Sequence, residues 1–171
     1  GKDVVGIAQT GTGKTLAFAV PMLQRLMEMK GTIGLVVVPT RELAAQVEET
    51  FVTVGGPLGL RTALLIGGAA MGPQLGSIRR GPHVIIGTPG RINDHLSQGT
   101  FKGDTVAVLV LDEADHMFDM GFLPQIKDII STLPSERQTL LFSATMPQEI
   151  FTLASRHMQT PLRIEIARAG T

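Results

Sequence analysis

Val106–Leu111 is a run of six aliphatic residues without a polar break, and Asp112-Glu113-Ala114-Asp115 follows it directly. A strand with one wet face alternates polar and apolar residues, whereas a strand apolar on both faces must be covered on both. The run therefore predicts an inner strand of a parallel sheet with helices above and below. Most of the other short apolar segments make the same demand, while Leu162–Ile166 alternates polar and apolar residues. Strands are expected near Val4–Ala8, Leu35–Val38, Thr62–Ile66, Val84–Ile86, Val106–Leu111, Thr139–Phe142 and Leu162–Ile166. Helix-period segments lie between them, at about Lys14–Met29, Arg41–Val54, Pro73–Arg80, Arg91–Gln98, Pro124–Thr132 and Gln148–His157. This alternation implies an α/β domain of three layers, α/β/α. Pro21 should kink the first helix or mark an irregular turn in it.

Composition narrows the chemistry. With 15 basic and 15 acidic residues the 171-residue chain is formally neutral, so any nucleic-acid contact must come from local, shaped elements. The absence of Cys excludes disulfides, thiolate catalysis and Cys-based zinc sites. Trp and Tyr are absent and Phe numbers only 7, which argues against an aromatic platform for single strands. No run approaches the ~18 apolar residues of a membrane helix, so no membrane partner is expected. His83, His95, His116 and His157 are scattered and suggest no metal set. The methionines, among them Met22, Met27, Met117 and Met120, mostly fall at helical spacing and are expected in the core. Arg79-Arg80 reads as a surface pair.

The sharpest motif is Ala8-Gln-Thr-Gly-Thr-Gly-Lys-Thr15, between a strand and a helix. Gly11 and Gly13 let backbone N–H groups approach a phosphate, and the helix start adds its positive dipole. Lys14 would reach the terminal phosphates, and the Thr15 hydroxyl would ligate Mg²⁺. The acids after Val106–Leu111 stand where ligands bind in open α/β sheets. Asp112 is placed to hold Mg²⁺ through water, and Glu113, on the opposite side by the two-residue strand period, to orient or deprotonate the attacking water.

Two further strand ends open helices: Pro39-Thr40-Arg41-Glu-Leu-Ala44 and Thr88-Pro-Gly90-Arg91. Each sets a hydroxyl, an arginine and free N–H groups at a helix start, as an anion site requires. Taken alone, either one is better explained by simple capping, with Thr40 as N-cap and Arg41 solvated. Gly67-Gly68 lets another backbone come near. Ser143-Ala-Thr145 ends a central strand, and its hydroxyls can bond to the acids after Val106–Leu111 or form an ordinary turn.

In chain order these motifs read AQTGTGKT, PTRELA, GG, TPGR, DEAD and SAT. The set resembles the DEAD-box RNA helicases, specifically their first RecA-like domain, and covers nearly the whole chain. Leu141–Thr145 and Pro161–Arg168 look most like the bacterial RhlE-type branch. The resemblance implies a P-loop, RecA-like domain over residues 1–167, with 168–171 beginning an interdomain linker. It implies ATP held by Thr10, Gly11, Thr12, Gly13, Lys14 and Thr15. Thr15 and Asp112 would serve Mg²⁺, and Lys14, Asp112 and Glu113 would be catalytic. Thr40, Arg41, Gly68, Thr88, Gly90 and Arg91 would grip the RNA sugar–phosphate backbone. Asp115 would pair with Ser143 or Thr145 to couple ATP state to RNA.

The chain looks cut at both ends, and neither the family's adenine-reading glutamine motif nor its second RecA-like domain is found in it. That second domain supplies arginines worth about 10³–10⁵ in rate. The fragment is therefore expected to be a cytoplasmic monomer that binds nucleotide weakly and hydrolyses little. A DNA helicase, a nucleotide kinase and a non-catalytic binding module are the competing readings. No lid rich in Arg supports a kinase, DEAD followed by SAT favours RNA by resemblance, and intact Lys14, Asp112 and Glu113 speak against a decayed site.

Overall fold

The computed structural model describes residues 2–9 and 12–165, with Thr12 described by its backbone alone. Thr10, Gly11 and the expected linker 168–171 lie outside the described residues. Seven strands form one parallel sheet in the order β3-β4-β2-β5-β6-β1-β7. They are β1 (Val4–Ile7), β2 (Ile33–Val37), β3 (Thr62–Leu65), β4 (Val84–Gly87), β5 (Val106–Leu111), β6 (Gln138–Ser143) and β7 (Leu162–Glu165). The helices are α1 (Thr12–Glu28), α2 (Arg41–Gly55), α3 (Met71–Arg79), α4 (Pro89–Ser97), α5 (Ala114–Asp119), α6 (Leu123–Ser131) and α7 (Gln148–His157).

Alternate residues of each inner strand enter different cores. On β5, Val108 and Val110 pack with Phe18 and Met22 of α1 and with Val47 and Phe51 of α2. Leu109 and Leu111 pack on the other face with Ile92 of α4, Met117 of α5, Ile126 of α6 and Ile150 of α7. All six residues of β5 are buried, as a strand apolar on both faces requires. The faces follow from handedness. The chain moves one way along the sheet through α1 and α2, then back through α3 to α7. Right-handed crossovers must then lie on opposite faces. Helices leave neighbouring strands toward opposite faces at β1/β6 and on both sides of β2. Crevices open at such places, beyond the carboxyl ends of the strands.

Two local choices shape the crevice at β1. Gly6 has no side chain because the Phe142 ring occupies that space, with an ideal Cβ only 2.6 Å from it. That ring lies 5.5 Å from the Phe18 ring, so β1, β6 and α1 pack closely together at this point.

Helix α1 runs through Pro21, which removes the backbone donor to the Ala17 carbonyl, and both residues lie on the exposed side of the helix. Two expectations need correcting. Helix α5 is absent from the sequence reading, since its six residues overlap the acidic turn and carry no clear period. Met22 and Met117 are core residues, but Met27 and Met120 are about half exposed, at 49% and 47%.

Candidate functional site

The carboxyl ends of β1 and β5 bring the sharpest motif and the acids together. Lys14 Nζ lies 2.7 Å from Asp112 Oδ1, in an ion pair almost sealed from solvent. Asp112 is wholly buried and its backbone N–H donates to the Val37 carbonyl. Oδ1 also accepts from the Glu113 N–H at 2.9 Å, whereas Oδ2 has no partner among the described residues. Burial raises the Asp112 carboxyl above its ordinary value despite the opposing Lys14 charge. The Thr15 hydroxyl side chain is buried nearby, and Lys14, Thr15, Asp112 and Glu113 line one cavity of about 650 Å³ that extends along α2.

Glu113 departs from the strand-period expectation. Strand β5 ends at Leu111, and Glu113 adopts φ +53°, ψ +51° as the N-cap of α5. The alternation of sides stops with the strand, so Glu113 faces the same cavity as Asp112. A non-glycine residue in this left-handed region costs about 1–3 kcal/mol, which the surrounding structure must hold in place. Burial, and then the neighbouring Asp112 charge against the pull of Lys14, leaves the Glu113 carboxyl raised as well.

Asp115 behaves oppositely. Its Oδ2 accepts from the Thr145 N–H at 3.1 Å and from the Thr145 hydroxyl at 3.0 Å, and its Oδ1 from the His116 N–H. Ser143 Oγ accepts from the Asp115 N–H at 3.1 Å and donates to the Thr145 carbonyl. Burial pushes the Asp115 carboxyl up, but these bonds outweigh it and hold it below the ordinary range. Asp115, Ser143 and Thr145 thus form one cluster bridging α5 and the end of β6.

The second set of predicted residues gathers around β2, β3 and β4. Thr40 Oγ1 accepts from the Leu43 N–H at 3.1 Å, so its hydroxyl caps α2 as the simpler alternative foresaw. Arg41 keeps 57% of its side chain exposed. Its Nη1 would sit 2.7 Å from a Cβ at Gly68, whose φ of +78° already favours glycine. Thr88 caps α4 without using its hydroxyl, and Gly90 opens onto free space. The Arg91 side chain is only 14% exposed: Nη1 donates to the Ala69 carbonyl at 2.8 Å and Nε stands 3.7 Å from Asp94.

Two buried polar residues, Gln74 and His95, join this set without having been singled out. The available signal was positional. His95 continues the row Pro89, Ile92, His95 that faces the core, and Gln74 shares the buried row of α3 with Ile78. Among the described residues no three His, Asp or Glu side chains cluster as a metal set.

A glycine-lysine-threonine stretch in the first turn of the helix that follows β1, its lysine paired with an acid at the end of an inner parallel strand, defines a P-loop domain of RecA-like fold. The chain belongs to the DEAD/DEAH box helicase family, whose model matches residues 1–153. It is 47% identical over 166 residues to a Geobacillus kaustophilus protein named DEAD-box ATP-dependent RNA helicase CshA, covering 96% of this chain and 36% of that one. A Debaryomyces hansenii protein named ATP-dependent rRNA helicase RRP3 is 45% identical over 169 residues, covering 98% and 35%. The crystal structure of a DEAD box protein from Methanococcus jannaschii superposes with a TM-score of 0.90 at 37% identity, covering 98% of this chain and 46% of that one. The chain spans about a third of the length of these two curated relatives. No described helix is long and apolar enough to cross a membrane.

Proposed function

We propose that this chain is the ATP-binding, RNA-contacting first domain of a DEAD-box RNA helicase. Its full-length form would couple Mg-ATP hydrolysis to local opening of RNA duplexes. The observation that carries this reading is the buried Lys14–Asp112 pair with Asp112 Oδ2 left unpartnered above a cavity. A buried carboxylate oxygen without a donor is costly unless a ligand completes it.

The residues present fit Mg²⁺. One carboxylate and one hydroxyl suit a cation that keeps several waters and takes further oxygens from phosphate. Asp112 and Thr15 would hold it, and when bound it supplies charge neutralisation at the phosphates. The residues of the chain do the rest. Thr10 to Thr15 would supply backbone N–H groups to the phosphates. Lys14 exchanges its bond to Asp112 for the terminal phosphates. Glu113, with its carboxyl raised, accepts the proton of the attacking water. Asp115, Ser143 and Thr145 transmit the state of this site to the other strand ends.

Thr40, Arg41, Gly68, Thr88, Gly90 and Arg91 meet the RNA backbone, through N–H groups, the free Thr88 hydroxyl and the exposed Arg41. Such contacts carry little base preference. Residues 1–167 form the first RecA-like domain, and 168–171 lead toward a second that contributes arginines. By itself the domain is a monomer of low hydrolytic rate. A cytoplasmic setting belongs to the same reading, since its two ligands are found there. The finer assignment to the RhlE-type branch rests on Leu141–Thr145 and Pro161–Arg168 alone, and the relatives above carry other names.

In the full-length protein, Lys14→Ala is expected to remove most ATP affinity. Glu113→Gln should keep ATP binding and stop turnover. ATP titration and single-turnover hydrolysis decide the matter, and normal behaviour of both variants would overturn the site.

A further inference from the structure

Gln74 is 5% exposed, and the nucleotide chemistry makes no use of it. Both ends of its amide are engaged. Nε2 donates to the Ile66 carbonyl at 2.9 Å, while Oε1 accepts from Arg91 Nη1 at 3.3 Å and stands 2.9 Å from His95 Nε2. The reverse orientation would turn an NH₂ group toward the guanidinium and an oxygen toward a carbonyl, so the neighbours dictate the amide. His95, with no exposed surface, must then carry a proton on Nε2, while in its neutral form Nδ1, at 2.9 Å, and the His95 carbonyl, at 3.0 Å, share the one Thr100 hydroxyl proton. Burial and then the Arg91 charge lower the His95 pKa, against a smaller pull from Asp94, and favour this neutral form.

The atoms tied by this amide belong to the predicted RNA-facing elements. Ile66 leads into Gly67-Gly68, and Gly68 packs against the Arg41 guanidinium. Arg91 ends the Thr88–Arg91 turn and reaches back to the Ala69 carbonyl at 2.8 Å. One buried amide, held from behind by one histidine, therefore registers the β3–α3 loop, the start of α4 and, through Gly68, the start of α2. A loop held in its bound geometry before binding spares the complex the cost of ordering it.

We propose that Gln74 and His95 are positioning residues for RNA: they hold Arg41, Gly68 and Thr88–Arg91 in mutual register and so set RNA affinity without touching RNA. This rests on the RNA-contacting role proposed above.

The test uses the full-length protein, a single-stranded oligouridylate, and a non-hydrolysable ATP analogue with Mg²⁺. Gln74→Leu is expected to weaken RNA binding about tenfold, the worth of one hydrogen bond to a charged group, with affinity for the ATP analogue unchanged. His95→Asn and His95→Gln separate positioning from packing. An asparagine amide reaches where Nδ1 stood and loses Gln74, whereas a glutamine amide reaches where Nε2 stood and keeps it. His95→Asn should therefore behave like Gln74→Leu, and His95→Gln should bind RNA close to the wild type. If Gln74→Leu fails to fold, the histidine pair decides alone.

Arg41→Ala separates the two layers of the claim. If Arg41→Ala weakens RNA binding while His95→Asn and His95→Gln behave alike, the positioning role is overturned and the RNA-contacting role stands. If Arg41→Ala leaves RNA affinity unchanged, the RNA-contacting role is overturned and the positioning role with it.

Discussion

At the β1/β5 end of the sheet, Lys14 and Asp112 form a charged pair with one carboxylate oxygen left over, beside a glutamate held at φ +53°. At the β3/β4 end, Gln74, His95 and Arg91 form a buried network in which the amide and both ring nitrogens have partners. Both regions sit at the carboxyl ends of strands, and both bury polar groups. The first leaves one carboxylate oxygen unpartnered, and in the proposed function it changes partners when nucleotide binds. The second is complete, and its task is to keep backbone in register. Buried polarity thus serves reactivity where it is left unsatisfied and rigidity where it is satisfied.

The largest effect should come from breaking the charged pair. Asp112→Ala leaves Lys14 buried without its counter-charge and should lower stability by about 3–5 kcal/mol in urea unfolding. The double variant Lys14→Met with Asp112→Leu removes both charges. It should recover the loss and match or exceed the wild type, while binding no ATP. If the single and double variants are equally destabilised, the pair is not held by charge and the contrast with the neutral network fails.

A smaller effect tests the other end. Gly68→Ala forces a left-handed conformation on a side chain and pushes against Arg41, which should cost about 1–2 kcal/mol. Gly90→Ala, with open space around its Cβ and a helical backbone, should cost nothing. Equal costs at the two positions would mean that the Gly68 loop is not held in register.

The smallest effect lies in acid. The Asp115 carboxyl is held below its ordinary value, so its stabilising contribution is present above the unfolded value and lost as pH falls through the folded one. Asp112 and Glu113, held above theirs, contribute in the opposite sense: their share is present at low pH and lost as pH rises through the folded values. Asp115→Asn should therefore remove part of the acid-side loss of stability seen in the wild type. An unchanged acid limb would mean that the Thr145 and Ser143 bonds do not hold the charge.

The inner strands could be expected from the sequence because an aliphatic run declares its need for cover locally, whereas the edge strand β7, Leu-Arg-Ile-Glu and exposed throughout, was legible only from its alternation. The phosphate loop was readable for a similar reason, since its glycines, lysine and threonine are contiguous. Boundaries moved by a few residues. Helix α4 begins at Pro89, where the fixed φ of proline suits a first turn, rather than at Arg91. Glu113 was misplaced because the strand period was carried past the end of the strand. Gln74 is unmarked in the sequence and His95 reads only as one of four scattered histidines, because a polar residue on a helix looks the same in sequence whether it is solvated or buried.

Local pattern therefore determined the element types, the two-sided core and the residue types of the site. Tertiary structure alone decided which of these meet. The strand order that sets β1 near β5, the burial that pairs Lys14 with Asp112, and the amide that ties α3 to α4 all join segments far apart in the chain. Periodicity speaks only of neighbours in sequence. Such long-range pairs arise from packing two apolar faces around one sheet, and only the packed sheet fixes their geometry.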